Sequence, residues 1–539
     1  PQYNADVIIG RCIGRILMFS IVSIITFSVA VCYNTIYFSQ VFNLSFYLFY
    51  WITLTLPALI YFLGLSVFVT HATHNQSASI FILLLLGGGT TFCCKGVTHE
   101  LFDPLARYIP NLFSDFTGHP NLFPYLLHRM IYLFAGLFLI ILSIQIYKRI
   151  PNIPRFHRTH LTLASIPLTI IIILISVYYF YFNGIEQTEN KYRQIYLTYE
   201  NTLKAEITRN DLTLHETTGD SIFAESELTL VNRHTETIFP ILYLNPGLNV
   251  SEIRNNDMRL PFKREGQAII LKQSIMSGDS CHLTIKYAGI MDKAICYLDV
   301  SALQRDFSTE NNRGIYRFGN APVICTDNYK LFTPECLWYP VCEPPTCFSI
   351  SRKVNFTRYK LKVIHDERHV AISQGHILNK QAGQTVFLHD HALQGISLCI
   401  GKYTKKTTLV DSISVELYYL PTHEYLLPEF DSNTEKLEET LSDIKFQQLE
   451  ERMYIYPNTR TGSAKEFDKQ KYGMPNLRYP FKWLRLVEVP ACFSSHAKND
   501  EIDGERIQAG LIFLPEKLWT QDRNPVRAWN IQTNHFDIP

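Results

Sequence analysis

Long apolar runs constrain this chain more than any other feature in it. Five stretches within the first 183 residues approach the ~20 apolar residues that carry a helix across a bilayer. They are Ile16 to Tyr33, Phe46 to Val69, Ala78 to Phe92, Leu126 to Tyr147 and Leu161 to Phe182. As soluble helices they would demand an outsized apolar core, so residues 1–183 read as a transmembrane region of about five spans. The third run is short and gains length only by including Cys93 and Cys94. Arg11 and Arg15 precede the first run, and Lys148, Arg149, Arg155 and Arg158 crowd the connection between the fourth and fifth. The loop from Asn34 to Ser45 has no Lys or Arg. Basic loops stay in the cytoplasm, so five crossings deliver the rest of the chain to the other side.

Between the third and fourth runs, Leu101, Leu105, Tyr108, Leu112 and Phe116 recur at helical spacing, with Asp103, Arg107 and Asp115 mostly opposite. That pattern suits a helix lying in the outer membrane interface, kinked at Pro104 and Pro110. The competing reading is an ordinary extracytoplasmic loop.

Beyond residue 183 the text becomes that of a soluble domain, and its period is two. "CHLTIKYAG" alternates Leu283, Ile285 and Tyr287 with His282, Thr284 and Lys286; "YKLKV" and "ISVELYY" repeat the pattern. Turn signals at Asn245 to Asn249 and Met276 to Ser280 separate the runs. Residues 184–430 therefore read as an antiparallel β-sandwich or saddle. "SNTEKLEETLSDIKFQQLEERM" then opens on a capping box of Ser432 and Glu435, and Leu437, Leu441, Ile444 and Leu449 mark one helix face. The strands "KWLRLVEVPACF" and "GLIFLP" follow, so residues 431–539 fit the start of an α+β domain. The fold class expected is multi-domain: an α-helical transmembrane bundle, then an extracytoplasmic antiparallel β-saddle, then the beginning of a thermolysin-like α+β domain.

A formal net charge of +1 excludes a nucleic-acid face. Of the twelve cysteines, Cys336, Cys342 and Cys347 are close enough in sequence for a disulfide or a metal knot. One or two disulfides would suit a domain outside the cytoplasm. "GISLCIGKY" fails as a P-loop, because its glycines are too far apart and Tyr403 stands where Ser or Thr would bind magnesium, and it reads as a strand. His389 and His391 would share a strand face and pinch a metal, against the plainer reading of loop histidines. Trp338 and Tyr339 would floor a cleft or, more simply, pack a strand.

Two resemblances follow from quoted text. "FLGLSVFVTHATHNQSASIFILLLLG", "DPLARYIPNLFSDFTG" and "LLHRMIYLFAGLFLIILSIQIYKR" are similar to type 2 ABC-transporter permeases, in which a polar "NQ" turn joins two apolar helices. "LTLVNRH", "LYLNPGLNV", "SGDSCHLTIKYAG", "LFTPECLWYPVCEPP", "YPFKWLRLVEVP" and "GLI" succeed one another as in the membrane alanyl aminopeptidase family of gluzincin zinc peptidases. The whole resembles bacterial proteins in which such a permease is fused to such a domain. The resemblance implies a multi-pass protein of the bacterial inner membrane, a separate ABC ATPase subunit as partner, and peptides as ligands. It also implies a fragment of a longer parent.

In the active peptidases a Gly-Ala-Met-Glu-Asn strand binds the peptide, its Glu holding the substrate amine. Aligned on Gly510, Leu511 and Ile512, this chain has Gly504, Glu505, Arg506, Ile507, Gln508 and Ala509 in those places. The resemblance thus implies a substrate-binding strand of Gly504, Glu505, Gln508, Ala509 and Gly510, without catalytic or metal residues. Ile507 cannot pair an ammonium, and losing the partner of a desolvated charge costs about 2–5 kcal/mol. Glu505 lies two residues away on the same strand face and would substitute after a register slip. No HExxH occurs; "HELFD", "HETTG" and "HEYLL" each lack the second His. No cofactor is expected in this chain, and zinc would belong to a full-length parent. Transport with a binding domain, a membrane-tethered zinc aminopeptidase, and an assembly platform are the three functional readings.

Overall fold

The computed structural model describes residues 4–38, 44–92, 98–106, 113–119, 121–147, 158–256, 258–295, 298, 323–345, 355–410, 413–428, 430–431, 434, 481–490, 492–493 and 507–516. The chain divides into two units, residues 1–111 with 121–185, and residues 112–120 with 186–539.

The first unit is helical: α1 (Asn4–Phe38), α2 (Leu44–Tyr50), α3 (Leu56–Thr73), α4 (Gln76–Phe92), α5 (Leu122–Ile146) and most of α6 (Arg158–Tyr199). Among the described residues four stretches are long and apolar enough to cross a membrane: Ala5–Tyr33, Tyr47–Thr73, Leu122–Ile146 and Thr162–Tyr199. The third of the five expected runs is α4, and Cys93 and Cys94, which give that run its length, lie outside the described residues. The polar turn fixes the start of α4, since Asn75 Oδ1 accepts from Ser77 N (3.0 Å) and Ala78 N (3.3 Å), as an N-cap does.

Close packing within this unit runs through glycine. A side chain on Gly64 of α3 would collide with the Gly136 carbonyl oxygen, and one on Gly136 of α5 would come within 2.6 Å of the Ile60 backbone. Small residues of this kind let membrane helices approach backbone to backbone. A π-turn, Trp51–Thr55, joins α2 to α3, and buried Arg129 of α5 donates to Leu54 O within it (3.2 Å) and to Pro104 O (2.9 Å).

Where an interfacial helix was expected after α4, the described residues 98–106 form turns, and Arg107, Tyr108, Pro110 and Leu112 lie outside the described residues. Thr98, His99, Glu100 and Ala106 have φ of 51°, 54°, 63° and 51°, in the left-handed region that a right-handed helix excludes. Hydrogen bonds such as Asp103 N to Glu100 O (3.1 Å) close these turns instead. Phe116, assigned to the apolar face of that helix, is buried in the second unit.

Among the described residues the second unit holds four sheets. The largest has eight strands, in spatial order β13 (His376–Gln381), β14 (Gln384–Leu388), β11 (Arg358–Ile364), β1 (Glu206–Glu216), β2 (Ser221–Val231), β8 (Ser280–Ile290), β4 (Leu248–Asn255) and β5 (Met258–Arg259). All neighbours are antiparallel except β1 and β11. The alternation read from "CHLTIKYAG" and "YKLKV" holds: Leu283, Ile285, Tyr287, Tyr359, Leu361 and Val363 are buried together. A three-stranded sheet, β3 (Ile241–Tyr243), β7 (Ala268–Leu271) and β6 (Phe262–Glu265), shares that core. A four-stranded sheet orders β12 (Val370–Ser373), β15 (Leu398–Gly401), β10 (Tyr329–Phe332) and β9 (Ile324–Cys325); β15 is the strand expected of the failed P-loop.

The fourth sheet is mixed: β16 (Thr404–Val410), β17 (Ile413–Tyr419), β18 (Trp483–Val489), β20 (Leu511–Pro515) and β19 (Ile507–Gln508). Its central β17, β18 and β20 are mutually parallel. Both faces are covered: Val487, Val489, Leu511 and Phe513 pack on one side, Leu484, Leu486, Ile512 and Leu514 on the other. "ISVELYY" therefore departs from its expected alternation, since Val415 to Tyr419 are buried without a break. Glu416 survives there because Arg485 Nε donates to it at 2.9 Å and Lys405 Nζ at 2.5 Å.

Among the described residues Cys336 and Cys342 are free and buried, so no disulfide joins them as expected; Cys347 lies outside the described residues. The predicted helix from Ser432, with Glu435, also falls outside them apart from Thr434.

Candidate functional site

The parallel strands β17, β18 and β20 end at one edge of their sheet, the edge where open sheets with parallel strands tend to hold ligands. Each delivers a polar side chain there. After β17 the chain turns, with His423 N donating to Leu420 O (2.8 Å). Glu488 is the last residue but one of β18, and Glu516 follows Pro515 directly. Asp115 arrives from far away in sequence, on a small hairpin in which Ser114 and Gly118 exchange backbone hydrogen bonds of 2.9 and 2.8 Å. Phe116 anchors that hairpin, its ring 4.9 Å from Tyr329 and 5.8 Å from Tyr403.

His423 is the centre. Its Nδ1 lies 2.7 Å from Glu488 Oε1 and its Nε2 3.0 Å from Asp115 Oδ2. Glu488, fully buried, also accepts from Leu420 N (2.9 Å) and Tyr425 Oη (3.3 Å). Glu516 Oε1 accepts from Asp115 N at 2.8 Å. Burial alone would push the His423 imidazole down, but its bonds to Asp115 and Glu488 and the nearby carboxylates raise it to about 10. Burial drives the Glu516 carboxyl up to about 7, against the hydrogen bonds it accepts. The arrangement is a buried carboxylate–imidazole–carboxylate chain, able to hold a cation or a shared proton.

The strand expected to bind substrate lies in the same sheet. Gly504 and Glu505 fall outside the described residues, so the register-slip role of Glu505 does too. Gln508 sits in β19, the sheet's edge strand, paired with Leu511 of β20. Ala509 and Gly510 form the turn between them, and Gly510 has a φ of 71° with Trp483 Nε1 2.9 Å from where a Cβ would stand. Its lack of a side chain is what the turn requires.

The metal pinch by His389 and His391 is corrected. β14 stops at Leu388, so the two do not share a strand face. His389 is buried, and burial with the Arg485 charge pushes its imidazole down to about 3. His391 is exposed with its ring 6.0 Å from Phe481. Trp338 and Tyr339 are core residues rather than a cleft floor: Trp338 Nε1 donates to Ile396 O (3.1 Å) and Ile396 N to Tyr339 Oη (3.0 Å).

Sequence reasoning passed over all four residues of the cluster. His423 lay in "HEYLL", set aside for want of a second His, and Asp115 was assigned to a helix's polar face. A usable signal existed in Glu488 and Glu516, acids within or directly after apolar strands, because a buried carboxylate needs partners.

No protein-family profile matches the chain, and no curated protein does. Among solved structures it is similar to the M1 zinc metallopeptidase of Deinococcus radiodurans, at 13% identity and a TM-score of 0.34 over 53% of this chain and 56% of that one. It is also similar to Legionella pneumophila aminopeptidase A in complex with aspartic acid, at 14% identity and a TM-score of 0.33 over 54% of this chain and 29% of that one. The chain thus spans about half the length of the first of these and less of the second.

Proposed function

We propose that this chain is the membrane component of an ABC-type transporter, carrying an extracytoplasmic aminopeptidase-like domain that binds a peptide or a protein partner. The observation that carries the reading is the hairpin 113–119. It connects α4 to α5, yet it belongs to the same unit as residues 186–539. Between these two parts of one domain lie α5 and α6, each long and apolar enough to cross a bilayer. Two crossings return a chain to its starting side, so the hairpin and the later residues meet without conflict. The basic residues Arg149 and Arg155 then lie on the opposite side, the cytoplasmic one by the charge rule, in the inner membrane of a bacterium.

A domain clasping the loop between two spans is suited to passing a binding event to those spans. The edge strand β19 suits an extended peptide, and Ile507 at the amine position favours binding without turnover. The β19–β20 hairpin equally favours a second reading, a membrane-tethered zinc aminopeptidase whose HExxH belongs to a longer parent.

The test is purification of the tagged protein from its own membranes in mild detergent. Stoichiometric recovery of an ABC ATPase subunit is the expected result. Recovery without any ATPase, together with chelator-sensitive cleavage of peptides with free N-termini, would replace the first reading by the second.

A further inference from the structure

We infer that Asp115, His423 and Glu516 form a divalent-metal site of the zinc class, with Glu488 as the residue that orients the histidine. One ligand atom from each of the three lies within 4.8 Å of the others. Glu488 commits His423 Nδ1, which leaves Nε2 facing Asp115 and turns the imidazole into a directed donor. A carboxylate on the far nitrogen is the partner that metal-binding histidines characteristically have. One nitrogen and two carboxylate oxygens suit Zn²⁺ with a fourth position open to water.

Charge points the same way. Three carboxylates surround one imidazole, and Glu516 and Glu488 are buried. A divalent cation neutralises that excess where a single proton on His423 does so only in part. Loading exchanges protons for metal: the Nε2 proton of the imidazolium leaves to solvent, as does the Glu516 carboxyl proton when present, and three metal–ligand bonds form. The site shares no residue with the substrate strand Gly504 to Gly510. It draws Asp115 from the connection between α4 and α5, so metal would clip that connection to the sheet.

The test uses the full 539-residue chain in detergent, stripped with chelator and titrated with ZnCl₂ by calorimetry in buffers of different ionisation heat. One equivalent should bind with proton release. Glu488→Gln should weaken binding about 10–100-fold, and His423→Gln and Glu516→Gln should weaken it further. Asp115→Asn, at a half-exposed position, tests the ligand set with the least disturbance of the fold, which far-UV circular dichroism checks for every variant. Co²⁺ in place of Zn²⁺ should give a d–d spectrum without a thiolate band, because Cys492 Sγ faces Thr117 Oγ1 (3.8 Å). A stripped chain that takes up no zinc would overturn the site. So would equal zinc affinity in Asp115→Asn and Glu516→Gln, or a cobalt–thiolate band.

Discussion

His423 and Glu516 both hold a proton more tightly in the folded domain than in an open chain, for opposite reasons. His423 does so because carboxylates favour its charged form; Glu516 does so because burial disfavours its charged form. A group whose folded pKa is raised stabilises most below its unfolded value and loses that contribution as pH climbs to the folded one. For Glu516 the loss runs from 4.5 to about 7, and for His423 from 6.5 to about 10. The thermal midpoint of metal-free protein should therefore fall across both windows. Glu516→Gln should flatten the lower window and His423→Gln the upper one, as scanning calorimetry in matched buffers will report; slopes indifferent to both changes would dispose of the assignment. Arg485 offers a second single-residue prediction. Buried, it reaches Glu416 Oε2 (2.9 Å), Ser373 O (2.6 Å) and Gly375 O (2.5 Å). Arg485→Met should cost about 3–5 kcal/mol, read from urea unfolding, because buried Glu416 loses its guanidinium partner and keeps only Lys405 and the Tyr418 hydroxyl.

Among the elements, α3 and α5 give the sharpest case. Gly136→Ala places a methyl against the Ile60 backbone and should destabilise the helical unit by about 1–3 kcal/mol through overpacking. Gly88→Ala in α4 meets nothing within 4 Å and should be neutral or slightly stabilising. Comparing the two in detergent thermal-shift assays separates packing from propensity. The same elements show what was legible. Helices α1, α3, α5 and α6 were written in unbroken apolar runs, and β8 and β11 in strict alternation. The turns at 98–106 were not, because Leu101 and Leu105 keep helical spacing while His99 and Glu100 take left-handed backbone. β17 was misread on one face, since what covers that face lies far off in sequence: Tyr418 packs in a core with Phe116 and Tyr329, while Val415, Leu417 and Tyr419 pack on the other side. The cluster was illegible for a related reason: Asp115 and Glu516 meet across 401 positions, and no local pattern encodes such a meeting.

For the molecule as a whole, the hairpin 113–119 carries the prediction. Phe116→Ala removes a ring that is 6% exposed among Tyr329, Tyr403 and their neighbours and should cost about 3–5 kcal/mol. Hydrogen exchange of Ser114 and Gly118 should then accelerate, while α5 keeps its protection; unchanged exchange would mean the ring is no anchor. Membrane-impermeant labelling should reach single cysteines placed at residue 119 and at an exposed site in residues 186–256 from the same side. The hairpin also bears on the order of synthesis. A ribosome makes Asp115 long before the strands that receive it, so this piece must wait, already threaded between two helices, for its seat to be built. A soluble version begun at residue 186 would be a lock made without its tongue, and a short peptide spelling out residues 113–119 is the part to give back to it.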